Sequence, residues 1–174
     1  MNTKVLVAYA SKYGATKEIA EKIGQVLEDA GFAVDVLPVD QVTDVESYQA
    51  VVLGSAVYIG GWRKGAAKFL RVNEKALAEK MVWLFSSGPT GPGDPIELVK
   101  GWRFPKALQH IADRVKPRDI VLFQGAAFPE KLSAINRWMM KKVKAPLGDF
   151  RDWNSISAWA GTIAAKLKEI RNER

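Results

Sequence analysis

Along the chain the hydrophobic positions switch repeatedly between two periods. Lys4–Ala10 (KVLVAYA) is a short apolar, β-branched run with no polar alternation, the pattern of a strand covered on both faces. From Ala15 to Ala30 the period lengthens: Ile19, Ile23, Val26 and Leu27 recur at helical spacing, and Gly31 follows as a stop. Further strands are predicted at Phe32–Val39, Val51–Val57, Met81–Ser86 and Asp119–Phe128. Helical stretches are predicted over Gly65–Lys80, Pro105–Val115 and Trp153–Ile170, the last with Asp152 as its N-cap. Thr43-x-x-Glu46 reads as the capping box of a further short helix. Continuous apolar strands alternating with helices predict an α/β fold, a five-stranded parallel sheet with helices on both faces. Nothing repeats and no linker divides the 174 residues, so a single domain is expected. Pro129–Arg151, between the fifth strand and the last helix, is longer than a usual connection and stands out as an insertion.

Composition removes whole classes of chemistry. With no cysteine there is no disulfide, thiolate zinc site, iron–sulfur cluster or cysteine nucleophile, and His110 alone cannot build a histidine metal site. No metal site is expected. No run reaches the roughly 20 apolar residues that span a bilayer. The chain passes from Met1 into a strand without a signal-peptide pattern, so a cytoplasmic location is expected. The net charge of +7 is uneven: acids slightly outnumber bases in residues 1–99, and the whole excess lies in residues 100–174. A basic surface attracts nucleic acid, anionic lipid or an acidic ligand. Nucleic acid is not expected as a partner, because no recognised binding motif accompanies the charge.

In open α/β sheets ligands bind beyond the carboxyl ends of the strands. Three loops there have suggestive composition. Ser11-Lys12-Tyr13-Gly14-Ala15-Thr16 joins the first strand to the first helix; its amides, two hydroxyls and helix N-terminus suit a phosphate, and Gly14 permits a tight turn. It has neither the spacing of a nucleoside-triphosphate loop nor that of a dinucleotide turn. Ser55-Ala56-Val57-Tyr58-Ile59-Gly60, after the third strand, combines small residues with an aromatic wall, with Trp62 just beyond; a flat heteroaromatic ring needs both. Ser87-Gly88-Pro89-Thr90-Gly91, after the fourth, offers amides and hydroxyls to the polar edge of such a ring. Trp102 is a further candidate shield for it, whereas Trp83, Trp153 and Trp159 read as core or rim and His110 as an exposed helix residue. No side chain presents itself as a catalytic acid or base.

VLVAYASKYGATKEIAEKI resembles the opening of flavodoxin-like proteins, whose phosphate loop reads roughly [TS]-x-[TS]-G-x-T. Ser11, Gly14 and Thr16 match it, and Tyr13 stands where a small hydroxyl residue is usual. GSAVYIGG and WLFSSGP are similar to the two flavin-ring loops of that family. The resemblance covers nearly the whole chain. It implies the strand order 2-1-3-4-5 and one FMN, with Ser11–Thr16 on the phosphate and residues within Ser55–Gly60 and Ser87–Gly91 flanking the ring. Electron-carrier flavodoxins are typically acidic, which this chain is not. The layout QGAAFPEKLSAINRWMMKKVK followed by RDWNSISAWAGTIA is similar to the flavodoxin-like, menaquinone-dependent protoporphyrinogen IX dehydrogenase group. That resemblance implies an FMN-dependent oxidoreductase acting on a tetrapyrrole with a quinone as electron acceptor, in heme biosynthesis. The alternative is an FMN electron-transfer protein docking on a redox partner.

The insertion carries Lys131, Arg137, Lys141, Lys142 and Lys144 without an acid between Lys131 and Gly148. On a helix Leu132, Ile135, Met139 and Val143 share one face, Trp138 borders it, and Arg137, Lys141 and Lys144 lie opposite. Such a helix suits the inner face of an anionic membrane, an anionic tetrapyrrole or a partner protein; it suits equally an ordinary surface helix packed on the sheet.

Overall fold

In the computed structural model, which describes residues 3–173, the predicted alternation is realised. Met1, where the start of the chain was read, lies outside the described residues. The elements run β1 (Lys4–Ala10), α1 (Ala15–Asp29), β2 (Ala33–Pro38), β3 (Ala50–Tyr58), β4 (Gly61–Trp62), α2 (Lys64–Val72) and α3 (Glu74–Ala78). There follow β5 (Met81–Ser87), α4 (Pro95–Leu98), α5 (Gln109–Val115), β6 (Asp119–Phe123), β7 (Ala126–Ala127), α6 (Ala134–Lys142), β8 (Gly148–Asp149) and α7 (Trp153–Asn172). The five long strands pair in parallel in the order β2-β1-β3-β5-β6, the flavodoxin-like order expected.

Each face of the sheet is sealed by one set of alternate strand residues. Val5, Val7, Tyr9, Val52, Trp83 and Phe85 point to the layer of α1 and α7, where Ile19, Ile23, Leu27, Ile156, Ile163 and Leu167 meet them. Leu6, Ala8, Val51, Leu53, Val82 and Leu84 face Phe69, Leu70, Leu77, Ile111 and Val115 of α2, α3 and α5. Two covered faces explain why the strands are apolar at every position. Trp83 is therefore core, and so is Trp159, whose indole N–H donates to Asp119 Oδ2 at 2.9 Å.

Four local expectations are corrected. The helix expected over Gly65–Lys80 breaks at Asn73, whose backbone leaves helical values (φ −97°, ψ 12°) while its side chain donates to the Phe69 carbonyl at 2.9 Å. Thr43 and Glu46 cap no helix: the Glu46 amide is taken by Asp44 Oδ1 at 2.8 Å in a turn, and the nearby helical turn is the 3-10 segment Val39–Gln41. The stretch from Pro105 starts as a 3-10 turn, Lys106–Leu108, before α5 begins. The fifth strand ends at Phe123, because Gly125 turns away and donates to the Pro89 carbonyl at 2.9 Å. Ala126–Ala127 then pairs antiparallel with Gly148–Asp149, a small ribbon that carries the insertion between its strands. Asp152 caps α7 as expected, accepting from the amides of Asn154 and Ser155.

Candidate functional site

At the carboxyl edge of the sheet a cleft of about 530 Å³ opens, a size typical of small-molecule sites. Its first wall is the loop into α1. Gly14 has φ +93°, a conformation that strains any side chain, and it occupies the N-cap position without a capping group. The first intrahelical bond is Glu18 N–H to Gly14 C=O at 3.1 Å, so the amides of the preceding turn have no helical acceptor. Ser11 Oγ accepts from the Gly14 amide at 3.0 Å, which closes the turn. Thr16 is 1% exposed yet lines the cleft. Amides without a helical acceptor and a positive helix end, with Ser11 and Thr16 beside them, form a receptor for a dianion. Lys12, Tyr13 and Ala15 complete this wall, while Gly14 itself does not face the cleft.

The second wall is a hairpin where a loop was expected. Ser55–Tyr58 still belong to β3, and the turn is only Ile59–Gly60, between the pairs Val57–Trp62 and Tyr58–Gly61. Both turn residues have positive φ, +51° and +69°, as a tight hairpin with this twist requires. That conformation suits Gly60 and strains Ile59, which is β-branched and 91% exposed at the rim. Ala56, Val57, Tyr58 and Ile59 line the cleft. Ser55 and Gly60 do not: Ser55 Oγ accepts from the Arg63 amide at 3.0 Å and donates to the Ala56 carbonyl. Trp62 turns inward too, donating to Ser86 Oγ at 2.8 Å and packing edge-on against Phe104. Trp102 lies outside the cleft.

Ser87, Gly88, Pro89 and Thr90 form the third wall, pinned by the chain leaving β6. Gly88 N–H donates to the Phe123 carbonyl, and a Cβ on Gly125 would stand 2.9 Å from the Gly88 carbonyl oxygen. Gly91 is held outside, its carbonyl accepting from the Gln124 amide. Gly125, Ala126 and Ala127 also line the cleft and were absent from the expected set. They are a small-residue run after the fifth strand, the same signal that marked the other three loops.

The fourth wall is the insertion. Leu132, Asn136, Met139, Met140 and Val143 face the cleft, so α6 overhangs the site and does not pack on the sheet. Ile135 departs from the expected stripe and is 71% exposed, with Trp138 beside it at 59%. Trp138 carries the Lys142 ammonium 4.8 Å above its ring. Two polar contacts tie the insertion down. The Tyr13 hydroxyl accepts from Asn136 Nδ2. The Arg151 guanidinium, its side chain 5% exposed, binds Asp149 at 2.8 Å, the Ala15 carbonyl at 3.2 Å and Glu18. The Tyr13 phenol is pushed up by burial, but Ser133, Asn136 and Lys12 together bring it down to about 8. The Lys12 ammonium sits between the Tyr13 and Tyr58 rings, 5.2 and 5.5 Å from their centres, and Arg63 lies over Tyr58. Burial raises the Tyr58 phenol.

The cleft is thus polar and anion-seeking at the Ser11–Thr16 end and apolar between the hairpin, the third loop and α6, the donor set of a phosphorylated flat ring. Such a sheet order with such a cleft defines a doubly wound α/β protein that takes its ligand at the carboxyl edge of the sheet. Residues 6–154 match the family described as flavodoxin domain, and the chain belongs to that family. FMN is the cofactor this membership implies, and the residues present fit it. Among solved structures the chain is similar to a flavodoxin from the domain Archaea, with 18% identity, a TM-score of 0.60 and 95% of this chain covering 99% of that one. It is similar to flavodoxin 2 from Bacillus cereus, with 21% identity, a TM-score of 0.61, and 94% of this chain covering 99% of that one. A rubredoxin oxygen:oxidoreductase from Desulfovibrio gigas aligns at 17% identity and a TM-score of 0.60, over 95% of this chain and 36% of that one. No curated protein matches in sequence.

Proposed function

We propose that the protein is an FMN-dependent oxidoreductase for a bulky, largely apolar substrate bearing acidic groups. The carrying observation is α6. An electron carrier needs only an accessible flavin edge, whereas this chain adds an apolar wall of Leu132, Met139, Met140 and Val143 to the same cleft. Methionines are adaptable packing surfaces for a bulky, irregular molecule. Lysines around that wall, Lys131, Lys141, Lys142 and Lys144, supply the complementary charge for carboxylates. When bound, FMN supplies the electron-transfer chemistry; the protein supplies position, a dry apolar wall and the positive rim. Protoporphyrinogen IX, a bulky apolar tetrapyrrole with two propionates, has the required size and charge and is the leading substrate. A quinone is the leading acceptor, each two-electron oxidation of the tetrapyrrole reducing one quinone to its quinol.

Exposed Ile135 and Trp138 among these lysines support seating on the inner face of an anionic membrane, where quinones reside. Among the described residues no helix is long and apolar enough to cross a membrane. Steady-state oxidation of protoporphyrinogen IX by the FMN-loaded protein with a menaquinone analogue is the direct test. Turnover is expected. Absence of turnover alongside rapid reduction by a reductase protein would instead assign a carrier that docks on a redox partner. Charge reversal of Lys141, Lys142 and Lys144 is expected to weaken salt-sensitive binding to phosphatidylglycerol vesicles; unchanged binding, or none in the parent, removes the membrane component.

A further inference from the structure

We propose that Tyr13 is a positioning residue that couples occupation of the Ser11–Thr16 loop to the seating of α6, so that the fourth wall closes over a loaded cofactor site. The inference rests on the FMN reading and goes beyond it. The Tyr13 hydroxyl is where α6 meets the body of the protein: Asn136 Nδ2 donates to it, and Ser133, the N-cap of α6, lies against the same phenol. None of the basic side chains of α6 forms an ion pair there, and α6 buries no residue. Its half-buried side chains face the cleft and not a packed core. The insertion is otherwise held at its far end, beyond β8, where Arg151 also grips the start of α1 through the Ala15 carbonyl and Glu18.

Both attachments therefore land on the segment whose amides face the phosphate position. A bound phosphate orders that loop, and an ordered loop fixes the Tyr13 ring in reach of Asn136. An element with few buried contacts is one whose seating a single bond can shift. Coupling of this kind is reciprocal: if the cofactor seats α6, then seated α6 holds the cofactor to the same extent. One hydrogen bond of ordinary strength corresponds to roughly a 5-fold change in the release rate.

The test uses the full chain with and without FMN, as wild type, Tyr13→Phe, Asn136→Ala and the double variant. Amide exchange is followed over residues 132–145, and FMN release by recovery of flavin fluorescence. In the wild type FMN is expected to slow exchange across α6. Each single variant is expected to lose that slowing and to release FMN about 5-fold faster. The double variant is expected to be no faster than Tyr13→Phe alone, because that substitution already removes the bond from Asn136. Riboflavin, which lacks the phosphate, is expected to leave α6 exchange unchanged. Equal FMN-dependent slowing in the variants, additive release rates, or protection by riboflavin equal to that by FMN would each overturn the coupling. If FMN binds and wild-type α6 exchange does not respond, the coupling alone fails; if the wild type binds no FMN, the cofactor reading itself fails.

Discussion

α6 and α7 both come from the basic half of the chain, and both are amphipathic in sequence. α7 spends its stripe on packing: Ile156, Trp159, Ile163 and Leu167 are buried against the sheet and the face of α1. α6 does not. Its Ile135 and Trp138 are exposed, and Leu132, Met139 and Met140 border a cleft. Length and capping contribute to the difference. α7 runs 20 residues behind an Asp152 cap, long enough to cross the sheet, whereas α6 runs nine behind Ser133 and is tethered by a ribbon of two short strands. A hydrophobic stripe on a helix thus says that something apolar lies opposite, without saying whether that is the core or a ligand cavity.

Truncation in the two helices should separate these roles most clearly. Leu167→Ala in α7 should cost about 2–5 kcal/mol, since a fully packed methyl cluster is replaced by a cavity. Trp138→Ala in α6 should change stability by less than about 0.5 kcal/mol, the range of exposed positions. Chemical denaturation of both variants measures the contrast. A Trp138→Ala loss as large as that at Leu167 would make α6 part of the core and erase the distinction.

Arg151 marks the boundary between the regions, because it anchors the insertion to α1. Its guanidinium is nearly buried and makes charge-assisted bonds to Asp149 and Glu18. Arg151→Ala should cost about 2 kcal/mol, less than a core truncation because both carboxylates stay partly solvated. Limited proteolysis should find new cleavage within residues 130–148, with α7 left resistant. Cleavage spread evenly over the chain would show that the insertion has no separate stability.

The strained hairpin tip gives a smaller effect of opposite sign. Ile59→Gly removes a β-branched residue from φ +51°, a relief of about 1 kcal/mol that glycine's own entropy partly offsets. The midpoint of thermal unfolding should hold or rise slightly. A fall would mean that the exposed Ile59 side chain makes a contact worth more than its strain.

How far the sequence disclosed the molecule follows the same line. β1 was legible to the residue and the other sheet strands within a few, because a parallel strand covered on both faces must be apolar at every position. Three of the cleft walls were legible as segments at the ends of β1, β3 and β5, since a ligand cleft at the carboxyl edge of the sheet needs small residues there. Individual contacts were not. Ser55 and Trp62 carry the right chemistry, but strand alternation and the hairpin turn them toward Arg63 and Ser86. The fourth wall escaped because its direction depends on where β7 and β8 pair, a long-range contact that no local pattern encodes. Tyr13, a departure from the usual phosphate loop, makes sense only once Asn136 is seen beside it, 123 residues away.

The smallest expected effect lies in that pair. The Tyr13 phenol is lowered to about 8 in the folded protein: burial opposes ionisation, and Ser133, Asn136 and Lys12 outweigh it. Tyr58, facing Tyr13 across the Lys12 ammonium, is raised and stays neutral in this range. In the unfolded chain a tyrosine ionises near 10. Between about pH 8 and 10 the unfolded state therefore binds more protons than the folded one, so this residue's contribution to stability rises with pH across that window and is absent below it. Tyr13 is only partly shielded, which keeps the gain under about 1 kcal/mol. An ionised phenol remains an acceptor for the Asn136 amide, so the attachment of α6 should tighten over the same range. Ultraviolet titration of the phenolate band should show one tyrosine ionising near pH 8 in the wild type, absent from Tyr13→Phe and moved toward 10 by Asn136→Leu. An unmoved titration in Asn136→Leu would mean that α6 does not set the environment of Tyr13, and the two helices would then differ in burial alone.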